Sequence, residues 1–288
     1  MIRETAPAKL NLYLHVGPIR RDGRHALASF FVFTEDGDAI MVEAARDISL
    51  TISGPAAGAL SDLPPRDNLV WKAAELLREA CSVTQGAAIR LEKNLPTAAG
   101  IGGGSADAAA ALRALIKLWN IEIADAALAQ LAFRLGADVP ACLKGAPVLV
   151  AGAGEDVSLG PTLPPLWACL VNPGVEIPTG PVFQAFDAAN PAPAVPTAPA
   201  LAEASYDALT QLMGATRNDL QPAAIARAPE IADIIKRLGQ CRGALAARMS
   251  GSGATCFALF STAGDAERAK AEAHNEGWWA MASPLILR

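Results

Sequence analysis

The chain has 288 residues, room for two domains of ordinary size at roughly 150 residues each. Hydrophobic residues make up 52% and charged residues 18%, which excludes a disordered chain and supplies a substantial core. With 24 basic and 29 acidic side chains the net charge is −5, which excludes a broad electrostatic footprint for nucleic acid.

The predicted elements begin with a strand over residues 8–16, where Leu10, Leu12, Leu14 and Val16 alternate with Lys9, Asn11, Tyr13 and His15, so that Lys9 and Asn11 share a polar face. After a turn at Asp22-Gly23, short apolar runs at 27–33, 39–42 and 48–52 read as separate strands. Asn68 caps a helix running to Ala80, a strand follows at 88–91, and helical periodicity returns at 105–118 and 125–135, with Pro140 ending the pattern. Beyond a Gly- and Pro-rich connection at 152–165 the order becomes β-α-β-β-α-β, a ferredoxin-like split. Inside it, the prolines of 190–199 predict an extended surface connection. The expectation is an α+β protein with a boundary near residue 160, giving domains over 1–160 and 161–288.

Cys81, Cys142, Cys169, Cys241 and Cys256 are scattered, without a C-x-x-C pair, and read as reduced thiols. Charges such as Arg113 and Lys117 interrupt the alanine-rich stretches before any reaches the roughly 18 apolar residues of a membrane span. Arg3, Glu4 and Lys9 stand where a signal peptide carries its apolar core, so a cytoplasmic protein is expected.

Chemistry concentrates in Pro96-Thr97-Ala98-Ala99-Gly100-Ile101-Gly102-Gly103-Gly104-Ser105-Ala106, a glycine cluster opening into a helix. Glycines allow close backbone approach, and the N–H groups and dipole at a helix start attract phosphate oxygens. Ser105 adds a hydroxyl for phosphate or Mg²⁺. The run lacks the third glycine of a dinucleotide fingerprint and the Gly-Lys-Ser/Thr of a Walker A loop; a tight connection is the plain alternative. Asp107 reads as a first-turn acid favoured by the helix dipole.

This run resembles the second motif of the GHMP small-molecule kinases, and residues 249–260, Met-Ser-Gly-Ser-Gly-Ala-Thr-Cys-Phe-Ala-Leu-Phe, resemble their third. Residues 6–15, Ala-Pro-Ala-Lys-Leu-Asn-Leu-Tyr-Leu-His, resemble the first motif in its form within the non-mevalonate isoprenoid branch. Segments 22–27, 135–140, 170–175 and 217–222 extend the likeness over nearly the whole chain. The resemblance implies an N-terminal ribosomal-protein-S5-like, ATP-binding domain and a C-terminal ferredoxin-like domain. It implies ATP and Mg²⁺ as cofactors and 4-CDP-2-C-methyl-D-erythritol as the small-molecule partner, phosphorylated on its 2-hydroxyl. No nucleic acid or membrane partner is expected, and the chain is expected to be a monomer or weak homodimer.

By resemblance Asp138 is the base that accepts the attacking hydroxyl's proton, and Lys9 the catalytic lysine that keeps it ionised. On composition alone, Asp138 would be a turn residue and Lys9 a surface lysine. Resemblance also maps cytosine recognition to Arg24, His25 and Phe183, with Arg24 standing where the family usually has Tyr; a substrate contact is expected of Asn11, which shares the polar face with Lys9 where edge-strand polarity is the plain alternative, and of Thr179. The plain accounts are a loop histidine, a helix cap at Thr179 and a core phenylalanine. His15, His274, Trp278 and Trp279 receive no role, and Asn218 and Asp219 none that is decided. Two rivals stand: a GHMP kinase for mevalonate, homoserine or a sugar, and a sensor that binds nucleotide without turnover.

Overall fold

The computed structural model describes residues 1–189, 194, 196–199, 201 and 203–288. Residues 190–193 and 195 of the proline-rich connection expected at 190–199 therefore lie outside the described residues. The chain forms two compact units. The first comprises Met1–Ala8, Asp36–Thr97 and Gly102–Gly145; the second comprises Lys9–Glu35, Ala98–Ile101 and Ala146–Arg288.

Two long strands, β1 (Ile2–Ile19) and β2 (His25–Ala45), pair with each other and contribute residues to both units. β2 merges two runs expected as separate strands. Gly37, between those two runs, lies within the ladder, where a Cβ would lie 2.1 Å from the Ala6 carbonyl oxygen, so the glycine serves close strand approach.

In the first unit, residues 39–45 of β2 run antiparallel to β4 (Gly86–Glu92), and β3 (Ser49–Ser53) lies parallel to β4. The helices are α1 (Leu69–Ala80), α2 (Gly103–Trp119), α3 (Asp125–Leu135) and α4 (Val139–Lys144). As expected, Asn68 starts α1, its Oδ1 accepting the Val70 N–H at 2.8 Å. Six of the nine buried residues of α2 are alanine, which lets it pack closely on α1 and α4. Asn120 closes α2 in the left-handed conformation (φ 50°). Pro140 does not end the helical pattern; it sits in the first turn of α4, where a missing N–H leaves no helix bond unmade.

In the second unit, β5 (Val148–Gly152) pairs with residues 27–31 of β2 and with β6 (Asp156–Leu159), a strand inside the run read as a connection. β7 (Trp167–Asn172), β8 (Ala244–Met249), β9 (Cys256–Phe260) and β10 (Trp279–Pro284) form an antiparallel sheet in the order β10-β7-β9-β8. Helices α5 (Thr179–Ala189), α6 (Tyr206–Ala215), α7 (Gln221–Ile225) and α8 (Glu230–Gln240) connect β7 to β8, and α9 (Ala263–Asn275) connects β9 to β10. This is the expected ferredoxin-like split. Cys169, Val171, Cys256, Ala258 and Phe260 of the sheet share one core with Ile231, Ile234 and Leu238 of α8 and Ala266, Ala269 and Ala273 of α9. All five cysteines are free, and among the described residues no helix is long and apolar enough to cross a membrane.

Candidate active site

Lys9 is not a surface lysine. It is 3% exposed, its Nζ donates to Asn11 Oδ1 at 2.8 Å, and it lies 4.6 Å from the centroid of the Phe31 ring. Period-two geometry puts Lys9 and Asn11 on the same face of β1, as the pattern predicts. Asn11 Nδ2 donates to Ser29 Oγ at 3.0 Å, and that hydroxyl donates to the Tyr13 carbonyl. The Lys9 N–H donates to the Ile101 carbonyl at 2.9 Å, which ties the first motif to the middle of the glycine run.

The turn between β8 and β9 completes this cluster. Ser250, fully buried, has its Oγ 3.0 Å from the Gly100 carbonyl and 3.3 Å from both the Lys9 carbonyl and Asn11 Oδ1. Its one proton serves one of these acceptors at a time, and Gly100 is the nearest. Thr255 N–H donates to the Ala99 carbonyl at 3.1 Å. Gly100 (φ +75°) and Gly251 (φ +55°) meet backbone to backbone: a Cβ on the first would lie 2.4 Å from the Ser250 carbonyl oxygen, and one on the second 2.5 Å from that of Gly100. These two glycines thus seat one loop on the other. Asn218 Nδ2 holds the same turn through the Met249 and Gly251 carbonyls at 3.0 and 2.8 Å, and Asp219 Oδ2 accepts the Val16 N–H at 2.8 Å. Thr179 Oγ1 lies 2.9 Å from Ser252 Oγ.

Also in the second unit, the His25 ring stacks on Phe183 with centroids 5.0 Å apart, and Phe186 meets it edge-on. His25 Nδ1 lies 2.9 Å from the Gly17 carbonyl, so that nitrogen carries the hydrogen, and Nε2 lies 3.4 Å from Asp187 Oδ1. Arg24 is exposed, its N–H donating to Asp22 Oδ1 at 3.1 Å.

In the first unit, Gly102 caps α2 in the left-handed conformation (φ 65°) with no side-chain cap bond. Helix geometry leaves the N–H groups of Gly103, Gly104 and Ser105 without intrahelical partners. A Cβ at Gly136 would lie 3.8 Å from Ser105 Oγ, so the turn leading to Asp138 passes beside that hydroxyl. Asp138 precedes α4 at its N-cap position, yet its side chain makes no capping bond.

Asp107 needs a correction. It lies beyond the first turn of α2 and is 3% exposed, so the helix dipole does not account for it. Its Oδ2 accepts from Lys93 Nζ at 2.7 Å, and Lys93 also pairs with fully buried Asp38. Burial pushes the Asp107 carboxyl up to about 7, with Lys93 pulling it down and Asp38 adding to the rise. Burial works against the Lys93 ammonium, but Asp107 and Asp38 together hold it above its ordinary value.

The family model "GHMP kinases N terminal domain" matches residues 68–146, and "GHMP kinases C terminal" matches residues 197–278. The chain is 46% identical over 288 residues to a 4-diphosphocytidyl-2-C-methyl-D-erythritol kinase of Paramagnetospirillum magneticum, covering 98% of this chain and 97% of that one. It is 49% identical to the enzyme of that name from Hyphomonas neptunium, covering 97% and 95%. The chain belongs to the GHMP kinase family. A crystal structure of 4-(cytidine 5'-diphospho)-2C-methyl-D-erythritol kinase matches this GHMP kinase with a TM-score of 0.80 at 34% identity over 99% of both chains. A homoserine kinase from Cytophaga hutchinsonii, 22% identical with a TM-score of 0.73 over 98% of this chain and 94% of that one, shares the fold.

The start of α2 in this GHMP kinase fits the phosphates of a nucleotide, since its partly exposed first turn offers N–H donors without intrahelical partners and the positive end of the helix dipole. For Mg²⁺ the donor set is sparse. Ser105 supplies a hydroxyl, and among the described residues no group of three or more His, Cys, Asp or Glu could hold a metal. That suits an ion held chiefly by phosphates and water. Ser29, Asp38 and Lys93 escape a sequence reading, because each finds its partners only through the fold: Lys93 and Asp38 are 55 residues apart.

Proposed function

We propose that this GHMP kinase transfers the γ-phosphoryl group of ATP to the 2-hydroxyl of 4-CDP-2-C-methyl-D-erythritol, giving the 2-phosphate and ADP, in the cytoplasm as a monomer or weak homodimer. The observation that carries this reading is identity of 46% and 49%, over nearly the whole chain, to relatives bearing that substrate's name. The proposed division into an ATP-binding part over 1–160 and a second part over 161–288 is supported by the two family-model matches, which fall on either side of residue 160, although residues 9–35, 98–101 and 146–160 pack in the second compact unit.

In this reading residues 96–106 hold the phosphates, chiefly through the N–H groups at the start of α2, with Ser105 contributing a ligand to Mg²⁺. The ion, when bound, neutralises phosphate charge. Asp138 accepts the proton of the attacking hydroxyl. Lys9, beside Asn11 and the Phe31 face, stabilises charge developing on the transferred group. Asn11 and Thr179 contact the acceptor. Phe183 and His25 form an aromatic wall for the cytosine, and the exposed guanidinium of Arg24 stacks on it or reaches the diphosphate.

The test is ADP release with ATP and Mg²⁺, comparing 4-CDP-2-C-methyl-D-erythritol with mevalonate, homoserine and galactose. Turnover with the cytidylyl acceptor alone is expected. Turnover with another acceptor would overturn the assignment of Arg24, His25 and Phe183, and nucleotide binding without turnover on any acceptor would favour the sensor.

A further inference from the structure

Asp38, Lys93 and Asp107 lie in the first unit and carry no part of the chemistry above, yet they are among its most buried charged groups. Asp38 Oδ1 accepts the N–H groups of Asn94 and Leu95 at 2.5 and 2.8 Å, which fixes the chain just before the glycine run begins. Lys93 joins Asp38 to Asp107, one turn inside α2, the helix on which that run ends. A Cβ at Gly103 would lie 3.1 Å from Lys93 Nζ, so the ammonium sits directly against the first residue of α2.

A structural tie needs no such arrangement. Two carboxylates share one ammonium, Asp107 Oδ1 is buried without a hydrogen-bond partner, and well-packed apolar residues of similar volume commonly hold elements together as well or better. What an apolar contact does not supply is a fixed register between the chain entering the turn and the helix leaving it.

We propose that Asp107 is a positioning residue for nucleotide binding: through Lys93 and Asp38 it locks the first turn of α2 to the chain entering the glycine run, so that the N–H groups of 103–105 are set for the phosphates before ATP arrives. This rests on the reading of that turn as the phosphate site. Preorganised donors are sensitive to displacements of an ångström or less.

The test uses Asp107→Ala, which severs the tie to α2 while leaving Lys93 and Asp38 as a balanced pair, and Asp107→Asn, whose amide oxygen still accepts from Lys93. Full steady-state kinetics and ATP titration are measured for both and for the wild type. Asp107→Ala is expected to raise KM and Kd for ATP about tenfold, with KM for the acceptor and kcat within about twofold of wild type, and Asp107→Asn to recover most of that loss. A mere loss of packing would lower the melting temperature without this split. ATP affinity unchanged in Asp107→Ala, or Asp107→Asn no better than Asp107→Ala, overturns the proposal. If Asp107→Ala does not fold, the Asp107→Asn titration decides alone: affinity more than about tenfold weaker than wild type contradicts the tie, and near-wild-type affinity supports it. A wild type that binds no ATP would instead overturn the functional reading itself.

Discussion

Lys9 lies at 3% exposure against an amide oxygen and a ring face, and Met keeps the length and apolar stem of its side chain while removing the charge. Lys9→Met is expected to lower kcat by about 10²-fold or more; a variant that stays active would remove Lys9 from the chemistry. Asp138→Asn keeps the shape of the turn and deletes proton acceptance, so kcat is expected to fall by about 10²- to 10⁴-fold with ATP affinity nearly unchanged. Turnover within a few-fold of wild type would assign the proton elsewhere. At this scale the sequence was legible where local pattern determines placement: alternation put Lys9 and Asn11 on one face. It was silent on burial, because whether a polar strand face meets water or a neighbouring loop depends on residues such as Ser250, 239 positions from Asn11.

Elements followed local signals wherever the deciding contacts lie within a few residues. The Asn68 cap and the span of α3 are read directly, since one bond and one apolar stripe determine them. The merged strand β2 and the helix opening at Pro140 were not, because ladder pairing and a following turn outweigh the turn-like residues at each place. Glycine substitutions separate these cases. Gly100→Ala is expected to destabilise by about 1–3 kcal/mol in thermal or denaturant unfolding, since positive φ and contact with the Ser250 carbonyl both oppose a Cβ. Gly264→Ala, in α9 with nothing within 4 Å, is expected to be neutral or stabilising. Asp107 supplies a pH signature of α2. Its carboxyl rises from an ordinary value of 3.8 to about 7 on folding, so the folded state binds the proton more tightly, and this group's contribution is full below about 4 and lost as the pH rises to about 7. Melting temperatures of wild type and Asp107→Asn measured from pH 4 to 8 are expected to show the wild type losing stability relative to the variant across that interval; parallel curves would contradict it.

For the whole molecule, the ferredoxin-like order of the second unit was legible as β-α-β-β-α-β, because each element has its own apolar period. The interleaving of the two units was not, since no local signal tells a strand that its first residues, 2–8, belong to one compact unit and its remainder to another. Family membership reaches the fold and the phosphoryl chemistry, whereas acceptor choice rests on a small set of side chains, as the shared fold of a homoserine kinase illustrates. The most direct test of the proposed reaction is therefore the proton-coupled ³¹P spectrum of the product formed from ATP and 4-CDP-2-C-methyl-D-erythritol. Carbon 2 of that acceptor bears a methyl group and no hydrogen, so phosphorylation of its hydroxyl is expected to give a new phosphomonoester resonance without three-bond proton splitting. A doublet or triplet would place the phosphate on a secondary or primary hydroxyl, and the absence of any new monoester would contradict the assigned reaction altogether.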